Sequence, residues 1–496
     1  MGTENLRVVT AEPGGPVSDL GGDGLRHPPT PRNPVPSTRS EREARGKAAR
    51  DVVPRSAHAV CDAPTERRDP IELLEEQART RIPELVPIRY GRMVVSPFTY
   101  FRGAALPMAA DLACTPTSNL PVQLCGDAHL SNFGMFGSPE RHLFFDVNDF
   151  DETAPGPWEW DVKRLSASLE VAGRDNSFSE RQRKDIVRSA VRSYRETMAE
   201  LSSMSMLDVW YAHLDCDQLL PRFSASLDPK KTPSVWRAVS KARAHDSYQA
   251  FDKLTHDAGG EPRILSDPPL IVPVEEFGAD ISSAEGSKWL NGAIRSYSRT
   301  LQPDRRHLLE QYRFVHLARK VVGVGSVGSD AWIVLFLDHA HHTPLFLQIK
   351  QAEASVLERF TSKGGFSNHG QRVVCGQRMI QSATDIFLGW LRDDRDGIDR
   401  HYYIRQLRDW KGSADIAGMT VAGMDLWGRM CGWTLARAHA RTGDRIAIAS
   451  YLGTSDSFDR AISRYAKAYA DQNERDYKAF RSAVRAGRLV AESGNS

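Results

Sequence analysis

This 496-residue chain lacks paired cysteines, long apolar runs, a charge of one sign and an apolar opening segment. Its six cysteines, Cys61, Cys114, Cys125, Cys216, Cys375 and Cys431, stand far apart with no C-x-x-C pair. A disulfide framework and a cysteine zinc site are thereby excluded, and reduced thiols are expected. No apolar run approaches the roughly 20 residues that cross a bilayer, so no membrane partner is expected. Lys and Arg number 65 against 63 Asp and Glu, a net charge of +2. Such a balance argues for neither nucleic acid nor an anionic surface. No dense basic and aromatic face points to nucleic acid either. The first residues have no apolar core of an export signal, which predicts a cytoplasmic protein. The rest of the composition, 41% hydrophobic and 26% charged, is that of an ordinary globular protein. The length fits roughly two to four domains, or one large domain with additions.

Residues 1–69 are rich in Pro, Gly, Arg, Asp and Ser, with few aromatics and little periodicity. Such a segment buries too little apolar surface to offset its chain entropy, and a disordered tail is expected. Order should begin near Asp69-Pro70, where Pro at the first turn and the early acids Glu72, Glu75 and Glu76 predict a helix. Arg89, Arg92 and Arg102 follow in an aromatic and basic stretch. They could grip phosphate bidentately or pair with carboxylates of the core.

The densest chemistry lies in Leu124–Glu152, LCGDAHLSNFGMFGSPERHLFFDVNDFDE. Asp127 sits in a turn after the apolar run 120–124, His129 and Asn132 follow, and the strand-like 142–147 leads into Asp149 and Asp151. An Asp, an Asn soon after it and a further Asp at the end of a hairpin strand form a phosphotransferase pattern. The first orients or deprotonates a hydroxyl, and the Asn and later Asp residues hold magnesium through oxygen ligands. The bland alternative is a polar loop whose Asp and Asn cap turns. GDAHLSN resembles the GDxHxxN catalytic loop of aminoglycoside phosphotransferases and related small-molecule kinases, and VNDFDE resembles their metal-binding Asp segment. The resemblance implies Asp127 and His129 as catalytic-loop residues, with Asn132, Asp149 and Asp151 at the metal.

Beyond Glu152, WEWDVKRLSASLEVAGR has helical periodicity. Asp161 near its start is expected to hold the backbone of the Asp127 loop. Residues 179–256 read as helical throughout, with Trp210, Tyr211 and Trp236 in the core. A Pro-broken loop over 260–285 and helix over 286–313 follow.

The second informative stretch is Leu317–Glu358. Gly323, Gly325 and Gly328 give G-x-G-x-x-G, a weak signal alone. A dinucleotide fold needs a helix directly after the glycines. This chain instead predicts strand 331–337, a solvated turn with His339, His341 and His342, strand 344–350, and a helix from about Ala352. A glycine-rich hairpin leading to a strand that ends in Ile-Lys resembles the nucleotide lobe of protein-kinase-like enzymes. That resemblance implies Lys350 on the donor's phosphates, held by Glu353 or Glu358. His401 onward reads as a strand leaving that lobe, with the backbone of 405–407 at the base pocket. The helix ending in LARAHARTGD would point back at Asp127. The catalytic segment thus precedes the nucleotide lobe, which predicts a circularly permuted chain.

RYGRM, SPFTYFRG, GDAHLSNFG, FDVNDFDE, WEWDVKRLSAS, VGVGSVG and LARAHARTGD together resemble the bacterial family DUF2252, from about residue 89 to 445. The expected fold class is α+β: a kinase-like two-lobed fold with a large helical C-lobe. Its parts would be a tail (1–69), a catalytic and helical segment (70–304), a nucleotide-binding lobe (305–410) and a closing helical segment (411–496). The expected function is ATP- and Mg2+-dependent phosphoryl transfer to a small-molecule hydroxyl. A nucleotide-binding scaffold without activity and a metal-dependent hydrolase using the Asp cluster alone are the alternatives.

Overall fold

The computed structural model describes residues 38–61, 66–217, 240, 243–244, 246–278, 283–321, 323–394, 397–407 and 410–492. In chain order the strands are β1 (Pro121–Leu124), β2 (Phe133–Gly137), β3 (Leu143–Val147), β4 (Ala154–Pro157), β5 (Leu214–Asp215), β6 (Thr255–Asp257) and β7 (Pro262–Ile264). They continue with β8 (Ile271–Pro273), β9 (Tyr312–Lys320), β10 (Ala331–Asp338), β11 (Pro344–Ala352), β12 (Gly389–Asp393) and β13 (Arg400–Gln406). With the helices they make a mixed α+β fold. The largest sheet is antiparallel throughout, in the order β12-β13-β11-β10-β9-β8.

The apolar run AWIVLFL makes β10 a central strand, because a period of two sends its side chains to both faces and both must be covered. Val334 and Phe336 join Tyr297 and Leu345 in one core, while Ile333, Leu335 and Leu337 join Ala250 and Leu254 in another. The helices Ala284–Ser298 and Ser247–Leu254 therefore cover opposite faces of this sheet. The boundary expected at 304/305 falls inside this layer: Tyr297 donates to Phe387 O at 2.5 Å, so the helical run before β9 packs with the sheet. In the stretch read as a loop, β8 pairs with β9 and forms the sheet edge.

The larger core is helical. Trp158 on the helix Trp158–Asp175 stacks on Tyr194 of Glu180–Ser203, with ring centroids 5.5 Å apart and planes at 6°. The helix Val421–Thr442 approaches the latter so closely that a Cβ on Gly432 would stand 2.3 Å from Ala190 O. Among the described residues no helix is long and apolar enough to cross a membrane.

Three further expectations need correction. Residues 39–52 form a helix instead of disordered tail, opened by a capping box in which Glu41 N donates to Thr38 Oγ1 and Thr38 N to Glu41 Oε2. It packs on the helix Arg445–Leu452 through a close approach at Gly46 and an Arg42–Asp444 pair at 2.8 Å. Charged and small side chains do this packing, which is why no apolar stripe marks it. Residues 1–37 lie outside the described residues. Trp210 and Tyr211 are 43% and 67% exposed instead of core, and Trp236 lies outside the described residues. No helix starts at Ala352. β11 runs through that residue, and a single 3-10 turn, Val356–Arg359, follows under a Ser355 cap. Gly365, at φ +72°, lies in the loop before the helix His369–Ile380 starts behind its Asn368 cap.

Candidate active site

At the end of β1 the chain turns through Gly126 at φ +92°, where a Cβ would stand 2.0 Å from Glu152 O. Only glycine fits there. Asp161 fixes the turn by accepting from Cys125 N at 2.8 Å and Gly126 N at 3.1 Å, the structural role expected of it. His439 braces Asp161 from behind: its Nε2 lies 3.2 Å from Asp161 Oδ2, and its Nδ1 lies 2.9 Å from the Tyr194 hydroxyl. The C-terminal end of that His439 helix meets β1, where Gln123 N donates to Thr442 Oγ1 at 3.2 Å.

Asp127 emerges from this turn. Arg164 donates to its Oδ1 from Nε at 2.8 Å and stands 2.7 Å from it through Nη2. Burial raises the Asp127 carboxyl above its ordinary range while Arg164 pulls against that rise. His129 Nε2 lies 3.6 Å from Asp127 Oδ2. Burial, then the Arg102 and Arg164 charges, push His129 well below its usual range, so its ring is neutral. Asn132 closes the loop by donating to Asp127 O at 2.8 Å.

The β2–β3 hairpin carries the chain on to Asp149 and Asp151, which meet Lys350 of β11. Lys350 is 2% exposed. Its ammonium bonds Asp151 Oδ2 and lies 3.8 Å from Asp149 Oδ2. Burial works to strip the Lys350 charge, but the two aspartates overcome it and raise the group above its ordinary value. Asp151 also accepts from the Tyr403 hydroxyl of β13 at 2.8 Å and from Ser326 Oγ of the Gly-rich segment at 3.3 Å. One carboxylate thus joins three segments of the chain.

The partner expected for Lys350 is therefore corrected. Glu353 lies past the strand end and accepts from Thr80 Oγ1 at 3.0 Å, and Glu358, on the 3-10 turn, accepts from Gly364 N at 3.3 Å. With no helix directly after β11, neither is carried toward the lysine. The helix that does follow contributes Arg372, which donates to Thr153 O, Asp151 O and Glu353 O at 2.6–2.7 Å. It stitches the Asp segment to the end of β11.

These parts face one cleft of about 1590 Å³, lined by Asp127, His129, Asn132, Asp149, Asp151, Gly323, Gly325, Lys350, Glu353 and Glu358. Gly328 does not line it and instead packs on Arg81 at φ +90°. Asn132, Asp149 and Asp151 offer oxygen donors alone, a set that suits a hard cation completing its shell from phosphate and water. Among the described residues no three His, Cys, Asp or Glu side chains gather as a metal-holding group. Sequence reasoning gave no role to Arg164, although it follows Asp161 by one helical turn. It missed Tyr403, Arg372, His439 and Lys411, which no local pattern marks. Lys411 also lines the cleft, and the Arg405 charge and then burial push it down to about 7.

No curated protein and no solved structure matches the chain. A family profile, described as an uncharacterized protein conserved in bacteria, matches residues 81–483, well over half the sequence. On that match the chain belongs to the DUF2252 family.

Proposed function

We propose that the protein is an ATP- and Mg2+-dependent phosphotransferase of kinase-like, two-lobed and circularly permuted build, acting on a small-molecule hydroxyl. The observation that carries this reading is the meeting of Lys350 with Asp149 and Asp151 across one cleft. A strand-end lysine beside a glycine-rich hairpin and an aspartate pair from a hairpin loop are the two charged halves of a phosphoryl-transfer site. The packing of Thr442 on β1 supports the permutation, since a helix after the sheet then leads back to the strand that bears Asp127.

The acceptor hydroxyl would lie against Asp127, held in place by Arg164. A carboxylate lifted by burial is the better proton acceptor. It takes the hydroxyl proton as the oxygen bonds the γ-phosphorus and the bond to the β–γ bridging oxygen breaks, releasing ADP. Gly323 and Gly325 would admit the phosphates closely, with Gly328 shaping the turn, and Lys350 would neutralise them. Asn132 and Asp149, with Asp151, would hold magnesium, which when bound supplies charge neutralisation to the phosphates.

The test is a thermal-shift titration of ATP with and without magnesium on wild type, Asp149→Ala and Lys350→Ala. A ligand that binds only the native state stabilises it by about 2.7 kcal/mol at 100 times its Kd. A magnesium-dependent rise in wild type that both substitutions remove is expected. No rise at millimolar ATP sinks the reading and returns the Asp cluster to a hydrolase.

A further inference from the structure

Some buried arginines in this fold hold carboxylates and others bond backbone carbonyls instead. Arg437 holds Asp146 at 2.6 Å through Nη2, Arg164 holds Asp127, and Arg372 donates to three carbonyls through Nη1 and Nη2 while its Nε stays unpartnered. Arg81, Arg89 and Arg102 line the cleft, and among the described residues none lies within 4.0 Å of a carboxylate. Arg81 Nε, Arg89 Nε and Nη1, and Arg102 Nε are all buried without a hydrogen-bond partner. The donors they do use go to neutral acceptors: Arg81 Nη1 to Val327 O, and Arg89 Nη2 to Gln77 Oε1 and Gly103 O, both at 2.8 Å. Carboxylates act on Arg81 and Arg102 only from a distance, and a buried donor left without an acceptor is one that an anionic ligand can satisfy.

The same arginine-bearing stretch anchors the Gly-rich segment. Ile82 N donates to Gly328 O at 2.7 Å, Arg92 Nη1 donates to Gly323 O, and a Cβ on Gly325 would come within 3.3 Å of Arg102 O. The glycines and these guanidiniums are therefore parts of one corner of the cleft, and Ser326 ties that corner to Asp151. A guanidinium presents planar, paired donors that match a phosphate's oxygens, and a fixed group of them needs no rearrangement to bind one.

We propose that Arg81, Arg89 and Arg102 form an oxyanion subsite that binds a phosphate group in the cleft beside the Gly-rich segment. The subsite deepens the phosphotransferase reading and rests on it for the source of the phosphate: the triphosphate of the donor or a phosphate carried by the acceptor. Its existence as an anion site is tested independently, with inorganic anions.

The experiment is calorimetric titration of tripolyphosphate, inorganic phosphate and ATP into wild type, Arg81→Gln, Arg89→Gln and Arg102→Gln, with chloride at matched ionic strength. Arg89 is the most buried of the three. Arg102→Gln therefore keeps the test secure, since Arg102 donates no hydrogen bond among the described residues. Tripolyphosphate is expected to bind wild type at least tenfold tighter than Arg81→Gln or Arg102→Gln. An equal loss for ATP assigns the subsite to the donor. Unchanged ATP binding, with inorganic phosphate lost from the ATP-loaded variants, assigns it to the acceptor. Absence of tripolyphosphate and phosphate binding to wild type, or equal affinity in folded wild type and variants, overturns the proposal. Binding of tripolyphosphate without ATP leaves the subsite standing and sinks the phosphotransferase reading alone.

Discussion

Glu152 shows how a single residue can carry the cost of building the cleft. Its Oε2 accepts from Val356 N at 2.7 Å, yet burial pushes its carboxyl up to about 7. A group whose folded pKa lies above its unfolded one binds more protons in the native state between those two values. Stability then falls as pH rises from the ordinary glutamate range toward 7, and stays reduced above it. Glu152→Gln keeps an oxygen for Val356 N and removes the titration. The variant is expected to melt higher than wild type at pH 8, by ~2 °C or more, with the gain shrinking toward pH 5. Equal differences at both pH values would show that Glu152 does not titrate in this window. At this scale much was legible. Asp127, Asn132, Asp149, Asp151 and Lys350 were picked by residue type and spacing, and all line the cleft. The partner of Lys350 was not legible, because the nearer glutamates lie beyond the strand end and Asp151, which bonds it, comes from 199 residues away.

Among the elements, the tight turn after β1 is the least tolerant. Gly126→Ala must adopt a positive φ, worth about 1–2 kcal/mol, and also move the Glu152 backbone. Gly259, at φ +74° with nothing within 4 Å of a Cβ, bears the first cost without the second. Denaturant unfolding should therefore show Gly126→Ala losing clearly more stability than Gly259→Ala; equal losses would mean the Glu152 backbone yields freely. The strands β10 and β11 after the glycines were readable as two apolar runs parted by a polar, His-rich turn. The helix Arg39–Val52 carried a readable T-x-x-E start as well. Its composition hid it, since contacts made through Gly46 and arginines leave no apolar periodicity. The helix expected at Ala352 failed for the reverse reason: EASVLERF is helix-like in composition, but β11 runs through Ala352 and the Ser355 cap opens only a single 3-10 turn that ends at Phe360.

Across the whole molecule, the Gly-rich segment, β11 and β13 meet at Asp151, which accepts from Ser326, Lys350 and Tyr403, and the Asp127 loop lines the same cleft. Protection should consequently be shared. Hydrogen exchange with Mg-ATP is expected to slow together at 125–132 and 323–328, far apart in sequence. Slowing at one segment alone would mean the ligand sees only half of the cleft. Long-range assembly of this kind is what one sequence conveys least, since spacing describes neighbours along the chain and the site is made of neighbours in space.

The Lys350–Asp151 contact has a further consequence for the order of events in the cleft. An ammonium and a carboxylate that satisfy each other form an electroneutral stopper. A cation alone would take the aspartate and strand the lysine, and an anion alone would take the lysine and strand the aspartate. Only a cation and an anion arriving together exchange one internal pair for two external ones with no charge left over. Affinity for each should rise with occupancy by the other, by the same factor in both directions.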